Sequence, residues 1–429
     1  MSQLRSFPRY FAGLVLQLCA AILSGALLLS AVCLLPSAPM DHHLTQSAPV
    51  FAAEGIYPSL YPWCTSQLDS TTDALILLIS ACDSGESPIL QAMSGTRNTL
   101  SAVEAASDEL AVHYGEGVPF DGTEPYYQYW HGYQLLIRPL LCLMNYQSIR
   151  LLNGLVQTGL LLLVCLALYK AGLGRCILPY AAAVAMLMPA ALAKSLQFSS
   201  CYYLFTLGTL AVLWKRQQLD RKDGTVFLFI GIATAYFDFL TYPIVTLGIP
   251  AVVYFCLRKE STIRDTFCRG VKICFSWGFG YLGMWAGKWL LGSLILRQNI
   301  LTLAADKVTE RAALDSAGTS LIHQIRTALS SNLRSFLRTP ATLLAAALAL
   351  VLLVLLVRAI VKNPPASASL AAVLFPFVIL MLIPFVWYGV TSQHAVVHHW
   401  FTNKNLAVTV FALLAALAQS RHTIEAAQS

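Results

Sequence analysis

Charge is scarce in this chain. Asp, Glu, Lys and Arg make up 11% of its 429 residues, against 57% hydrophobic residues and a mean hydropathy of +0.64. A soluble fold of this length carries far more charge on its surface, so the soluble globular class is excluded. The motifs of familiar soluble enzymes are missing as well: there is no P-loop, no glycine-rich dinucleotide turn between a strand and a helix, no G-x-S-x-G elbow and no H-E-x-x-H pair. The eleven cysteines contain no CxxC pair and no Cys/His spacing of a metal site, which removes zinc-ribbon and dithiol-redox readings. The formal charge of +7 does not indicate nucleic acid, because Lys and Arg flank hydrophobic runs instead of forming a basic face interleaved with aromatics.

What the chain has in abundance is apolar segments near the roughly 20 residues that carry a helix across about 30 Å of hydrocarbon. Residues 11–35, behind Arg5 and Arg9, are longer than a signal-peptide core and read as an uncleaved anchor. Residues 151–168, 177–193, 196–214, 273–296, 343–361, 370–390 and 406–417 are further candidates. Residues 225–257 form one apolar block, about 50 Å long as a single helix and too long for one ordinary span. A hairpin turning near Asp238 keeps Arg258, Lys259, Arg264 and Arg269 on the side of the other short basic loops. The expected fold class is therefore an all-α integral membrane protein, a single polytopic domain over residues 1–429 with about ten transmembrane helices. The positive-inside rule places both termini and the loops carrying Lys170, Arg175, Lys215, Arg216, Lys222, Arg358 and Lys362 in the cytoplasm, in a multi-pass cell-membrane protein, with most acidic residues outside.

This topology leaves two large extracytoplasmic loops, residues 36–148 and 297–338. The first contains a helix opened by Thr71 or Thr72 with Asp73 in its first turn. Residues 134–144, broken at Arg138-Pro139, are too short to span and are expected along the membrane surface. The second loop mixes Lys307, Arg311, Arg326, Arg334 and Arg338 with Leu and Ile at helical intervals, as in a basic amphipathic surface helix or an arm gripping lipid phosphate. Cys64 and Cys82 share the first loop, where an oxidising compartment would permit a disulfide between them.

Polar clusters fall at the outer ends of different spans: Asp69-Ser-Thr-Thr-Asp73, Tyr129-Trp130-His131-Gly-Tyr133, Lys194 with Gln197, Asp238 with Tyr242, and His394 with His398 through Lys404. An interfacial aromatic belt or a snorkelling lysine accounts for any one of them. Asp238 and Lys288, however, lie in or beside apolar spans where charge is costly, which points to a polar cleft open to the outside, with Lys194 or Lys288 as the expected partner of Asp238.

With its first span, its large first outer loop carrying carboxylates and surface helices, and its many further spans, the chain resembles the GT-C class of membrane glycosyltransferases. The resemblance rests on this layout and on the clusters just quoted, and its motifs are not specific to one reaction. It implies transfer of a sugar from a polyprenyl-phosphate donor to an extracytoplasmic glycan or lipid-linked acceptor. It further implies an acidic residue near the start of the first outer loop, acting as a base or as the ligand of a divalent cation. Asp41 holds that position, Asp69 and Asp73 have the more motif-like setting, and all three are catalytic candidates. A base is needed to take the acceptor hydroxyl proton, and cations to stabilise the departing phosphate, for which Arg138, Lys194 and Lys404 are placed. Tyr129, Trp130, His131, Gln197, Asp238, Tyr242, His399 and Trp400 are the substrate-binding candidates. Two other classes compete. A transporter or flippase of lipid-linked intermediates also needs a polar cavity, although no internal repeat is present. A non-catalytic membrane assembly protein would use its loop aromatics as anchors. Convergence of Asp69, Asp73, His131, Lys194, Asp238 and His399 on one cleft favours the enzyme, and dispersal favours the scaffold.

Overall fold

The computed structural model describes residues 2–258, 262–303, 320–364 and 367–426, so Lys259, Lys307 and Arg311 lie outside the described residues. The chain is all-α apart from a ribbon in which Arg97–Thr99 pairs antiparallel with Gly122–Glu124. Helices α1 (Ser2–Val32), α2 (Ala38–Glu54), α3 (Ser70–Ala81), α4 (Pro88–Ser94), α5 (Ala106–Ala111) and α6 (Gln134–Leu143) come first. They are followed by α7 (Tyr146–Lys170), α8 (Ile177–Met186), α9 (Pro189–Lys194), α10 (Leu196–Trp214), α11 (Leu219–Phe237), α12 (Ile244–Leu257) and α13 (Ile263–Leu296). The remaining helices are α14 (Leu321–Leu337), α15 (Pro340–Lys362), α16 (Ser367–Val390), α17 (Ser392–Val397), α18 (His399–Thr402) and α19 (Ala407–Ala426).

Among the described residues, 6 helical stretches are long and apolar enough to cross a membrane: Pro8–Val32, Tyr146–Lys170, Leu196–Trp214, Pro340–Lys362, Leu370–Val390 and His399–Ala426. Two of the other expected segments depart from that form for physical reasons. Residues 177–193 break where Met188 takes a left-handed conformation (φ 60°) just before Pro189, which leaves α8 only about 15 Å long. The block 225–257 divides as expected, with Asp238 capping the end of α11 and Pro243 preceding α12. Helix α12 has 14 residues and is buried along nearly its whole length, so other helices surround it on every side. Its all-round apolarity is that of a bundle core.

Close helix crossings are made by glycine. A Cβ at Gly231 of α11 would lie 2.0 Å from the Trp277 carbonyl oxygen of α13, and one at Gly280 would lie 2.3 Å from the Leu228 oxygen. Each backbone thus sits in the space the other lacks, the small-residue contact expected between membrane helices. Gly278, Gly280 and Gly283 have the G-x-G-x-x-G spacing, but they lie inside α13, so they form a packing face and not a phosphate-binding turn. At the end of the bundle bearing the basic loops, the fully buried Asp223 is paired with Lys272 and accepts from Tyr254 Oη at 3.0 Å, tying α11, α12 and α13 together.

At the opposite end, the segment before α7 is not a separate domain. Met40, Leu44, Phe51, Leu77, Leu110 and Trp130 share one continuous core with Phe198, Phe205, Trp277 and Phe411. Helix α6 exposes Leu136 and Leu143 while burying Arg138, whose Nη2 donates to the Leu35 carbonyl just beyond α1 at 3.3 Å. That carbonyl end carries partial negative charge, so the guanidinium serves as a cap.

Candidate functional site

Asp69 and Asp73 lie one helical turn apart but have different partners. Asp69 caps its own helix α3, accepting from Thr72 N at 2.8 Å and Thr72 Oγ1 at 2.9 Å. Burial pushes its carboxyl up to about 6, partly opposed by the two Thr72 hydrogen bonds and reinforced by the Asp73 charge. Asp73 points instead at the start of α10. It accepts from Leu196 N and Gln197 N, each at 2.9 Å, from Ser195 Oγ at 3.3 Å and from Tyr146 Oη at 2.6 Å. It thereby satisfies donors that the first turn of a helix leaves without intrahelical partners. Burial raises its carboxyl too, against the opposing Arg150 charge and these hydrogen bonds. Arg150 is held by Glu54 through contacts of 2.6 and 2.9 Å and lies over the Tyr146 ring. Asp73 is thus a fully engaged strut between α3, α7 and α10.

Asp41 sits elsewhere, in the first turn of α2, accepting from Tyr114 Oη at 2.7 Å. Burial raises its carboxyl and the tyrosine hydrogen bond opposes the rise.

The turn between α11 and α12 joins several of the sequence clusters. Asp238 accepts from Thr241 N at 3.0 Å, from Thr241 Oγ1 and from Ser200 Oγ at 3.3 Å. The expected lysine partners are therefore replaced by hydroxyls and a backbone N–H. Lys194 is exposed. Lys288 Nζ donates to the Ala92 and Met93 carbonyls, at 3.3 and 2.8 Å. Next in the turn, Leu240 has a left-handed backbone (φ 63°), and its carbonyl accepts from His394 Nε2 at 2.8 Å. Tyr242 Oη donates to the Phe198 carbonyl, and Ile244 N to Asn405 Oδ1 at 3.0 Å.

On the other flank of this turn, Phe239 packs against the rings of Tyr129, His131 and Tyr133. His131 is also left-handed (φ 58°), its Nε2 lies 2.7 Å from the Tyr126 carbonyl, and burial, with the Lys288 charge, pushes it down to about 3, so it is neutral. Trp130 Nε1 donates to the Met284 carbonyl at 2.7 Å. These aromatics build the core, and non-glycine residues with positive φ gather where that core is over-determined.

The solvent-reachable chemistry lies on another side of the same layer. A cavity of about 330 Å³ is lined by Trp63, Cys64, Ser331, Arg334, Ser335, Arg338 and His399, with Pro62 at its edge. His399 Nδ1 stands 3.0 Å from Ser335 Oγ and 3.5 Å from Cys64 Sγ. Burial raises the Cys64 thiol, opposed by its Ser335 hydrogen bond and the Lys404 charge. Helix α14 is set in place by its buried polar stripe: Asn332 Nδ2 donates to the Ala395 carbonyl at 2.8 Å and Asn332 Oδ1 accepts from Thr402 Oγ1 at 2.7 Å. Arg334 and Arg338, both exposed, make no ion pair with a described residue. Over the preceding turns of α14, Ile322, Ile325, Arg326, Leu329, Ser330 and Leu333 line a groove of about 560 Å³ against Phe385 of α16.

Of the six residues expected to converge, the structure brings His399 alone to this cavity, with Trp400 beside it, its ring 5.4 Å from that of Tyr57; Asp69, Asp73, His131, Lys194 and Asp238 are not on its wall, so the six do not converge there. Lys404 is withdrawn, its Nζ fixed on the Thr65 and Leu187 carbonyls at 2.8 and 3.1 Å. Arg138 is buried at the end of α1, its Nη2 on the Leu35 carbonyl and its Nε and Nη1 without a hydrogen-bond partner among the described residues, whereas Lys194, Arg334 and Arg338 are exposed. Cys64 and Cys82 are both free thiols, Cys82 contacting Asn98 Oδ1 at 3.7 Å, so no disulfide joins them. Trp63 and Ser335 had no signal in the sequence beyond their residue types, and Cys64 was marked there only as a disulfide candidate. Among the described residues, Thr65 Oγ1, Gln197 Oε1, Trp400 Nε1 and Asn403 Oδ1 are buried without a hydrogen-bond partner, and such atoms mark places where a polar ligand or water is accommodated.

No family model, curated protein or solved structure matches the chain. No group of three or more His, Cys, Asp or Glu side chains fit to hold a metal occurs among the described residues.

Proposed function

We propose that this chain is a membrane glycosyltransferase of the GT-C type, crossing the membrane about ten times, with residues 36–148 and 297–338 outside. It transfers a sugar from a polyprenyl-phosphate donor to an extracytoplasmic glycan or lipid-linked acceptor. The observation that carries this reading is the construction of α14, which presents Arg334 and Arg338 to a cavity and, over the preceding turns, an apolar groove against α16. An isoprenoid phosphate has that division of character: a hydrocarbon tail for the groove and an anionic head for the guanidinium groups, singly charged in the sugar donor and doubly charged once the sugar has left. The groove opens beside an apolar helix that qualifies as a membrane span, so a lipid reaches it without leaving the bilayer.

Asp69 is the base in this proposal. Its carboxyl lies near neutrality, where a group both ionises and accepts a proton effectively. Asp73 holds the frame. A translocation path through the bundle is less well supported, since Asp238, Lys288 and Lys404 are engaged by hydroxyls or backbone carbonyls.

The test is transfer in membranes with a panel of polyprenyl-phosphate sugars, comparing the parent with Arg334→Gln/Arg338→Gln. Loss of both charges is expected to lower kcat/KM by at least about 100-fold, as each charge-assisted contact contributes about 1.5–3 kcal/mol. Full transfer by the double variant sinks the phosphate assignment, and no transfer of any sugar by the parent sinks the transferase.

A further inference from the structure

The cavity beside α14 holds a nucleophile for which sugar transfer has no use. Cys64 Sγ forms part of its wall, within 3.5 Å of His399 Nδ1 and 3.8 Å of Ser335 Oγ, and shares the space with Arg334 and Arg338. Other thiols keep different company. Cys82 and Cys142 contact amide or carbonyl oxygens, and Cys176 faces Cys256 in the buried core.

We propose that Cys64 is a thiol–disulfide exchange site for small anionic disulfides, and that the adduct closes the cavity to its phosphate ligand. Only the second half rests on the proposed function; the exchange stands on the cavity alone. Arg334 and Arg338 concentrate and orient an anionic reagent, as a cluster of one charge sign does in a recess. A volume of about 330 Å³ admits one arm of a small disulfide and excludes a protein thiol.

The step balances within these groups. The Cys64 proton passes to His399 Nδ1, and the sulfur attacks one sulfur of the reagent as its S–S bond breaks. The departing thiolate takes the proton from His399, so one thiol is consumed and one released while the disulfide is exchanged. Burial favours the protonated thiol and lowers the His399 imidazole, so the thiolate forms only by proton transfer across their 3.5 Å contact.

The experiment uses the full chain in detergent micelles and two probes, the dianionic 5,5′-dithiobis(2-nitrobenzoate) and the neutral 4,4′-dithiodipyridine. Rates are normalised to a free model thiol, and the Cys64 contribution is obtained by subtracting Cys64→Ser. Mass spectrometry of the labelled peptide locates the adduct independently of any variant. The expected result is at least about a tenfold preference for the anionic probe at Cys64, lost in Arg334→Gln/Arg338→Gln, with both probes slowed by His399→Gln. No adduct at Cys64, or equal normalised rates for the two probes, overturns the exchange site. Gating is read separately from binding of farnesyl phosphate: the adduct is expected to abolish it and dithiothreitol to restore it. Undiminished binding by the adduct overturns the gate. Binding by neither form overturns the phosphate reading of the cavity while the exchange site stands on its own rates.

Discussion

Asp69 and Asp73 show how one turn of helix separates two fates for the same side chain. Asp69 is buried with Thr72 as its hydrogen-bond partner, so its charged form is disfavoured and its carboxyl rises from 3.8 to about 6. The folded state therefore binds the proton more tightly than the unfolded chain. The stabilisation is complete below the unfolded value near 3.8 and is lost as pH rises through about 6, an effect on the order of 3 kcal/mol. Asp69→Asn keeps an N-cap and removes that loss, so at pH 8 the variant is expected to melt no lower than the parent while transfer falls roughly 10²–10⁴-fold. The parent's kcat/KM should rise through pH 6 as the base ionises. A variant with near-full activity returns Asp69 to a plain cap and makes Asp41 the leading carboxylate. Asp73→Asn has the opposite signature: it weakens the donors gathered from α7 and α10 and is expected to cost about 2–3 kcal/mol, read as a lower Tm. Both residues were legible in the sequence as a helix start. Which of them carries the next helix was not, because the partners of Asp73, Leu196 and Gln197, are 123 and 124 positions away.

At the scale of elements, the hairpin at residues 225–257 was readable because a charged residue and a proline interrupt an apolar block too long for one span. The break inside 177–193 was not readable in the same way. Pro189 is compatible with a helix start, and only the left-handed Met188 before it turns the chain aside. The aromatics around His131, read from the sequence as substrate-binding candidates or an interfacial belt, pack in the core, and a ring that anchors at an interface and one that packs in a core have the same composition. The sequence marked α14 as a basic amphipathic surface helix or an arm gripping lipid phosphate, while its partners Trp63 and Cys64 arrive from a loop some 270 residues earlier in the chain. The crossing of α11 and α13 gives a prediction at this scale. A methyl at Gly231 meets the Trp277 carbonyl at 2.0 Å, and backbone cannot swing away as a side chain does. Gly231→Ala is therefore expected to destabilise by about 1–3 kcal/mol despite its better helix propensity. Thermal unfolding that is unchanged would show that the two helices separate freely at this point.

For the whole molecule, everything proposed for the α14 cavity depends on which side of the membrane it faces. The basic residues at one end of the bundle, Arg258, Arg269 and Lys272, are gathered around Asp220 and Asp223, and by the positive-inside rule that end is expected in the cytoplasm. The cavity, the α11–α12 turn and the start of α10 lie at the other end, since α10 and α11 run from one to the other with only Lys215–Gln218 between them. Two introduced thiols discriminate the orientations: Gln218→Cys, at an exposed position of the short α10–α11 link, and Tyr61→Cys, exposed beside the cavity wall. In intact cells an impermeant maleimide is expected to label Tyr61→Cys above the parent background and to reach Gln218→Cys only after permeabilisation. The reverse pattern would turn the cavity to the cytoplasm. Nucleotide-activated sugars would then be available to it, and the argument for a lipid-phosphate donor would lose its topological half while the apolar groove against α16 remained.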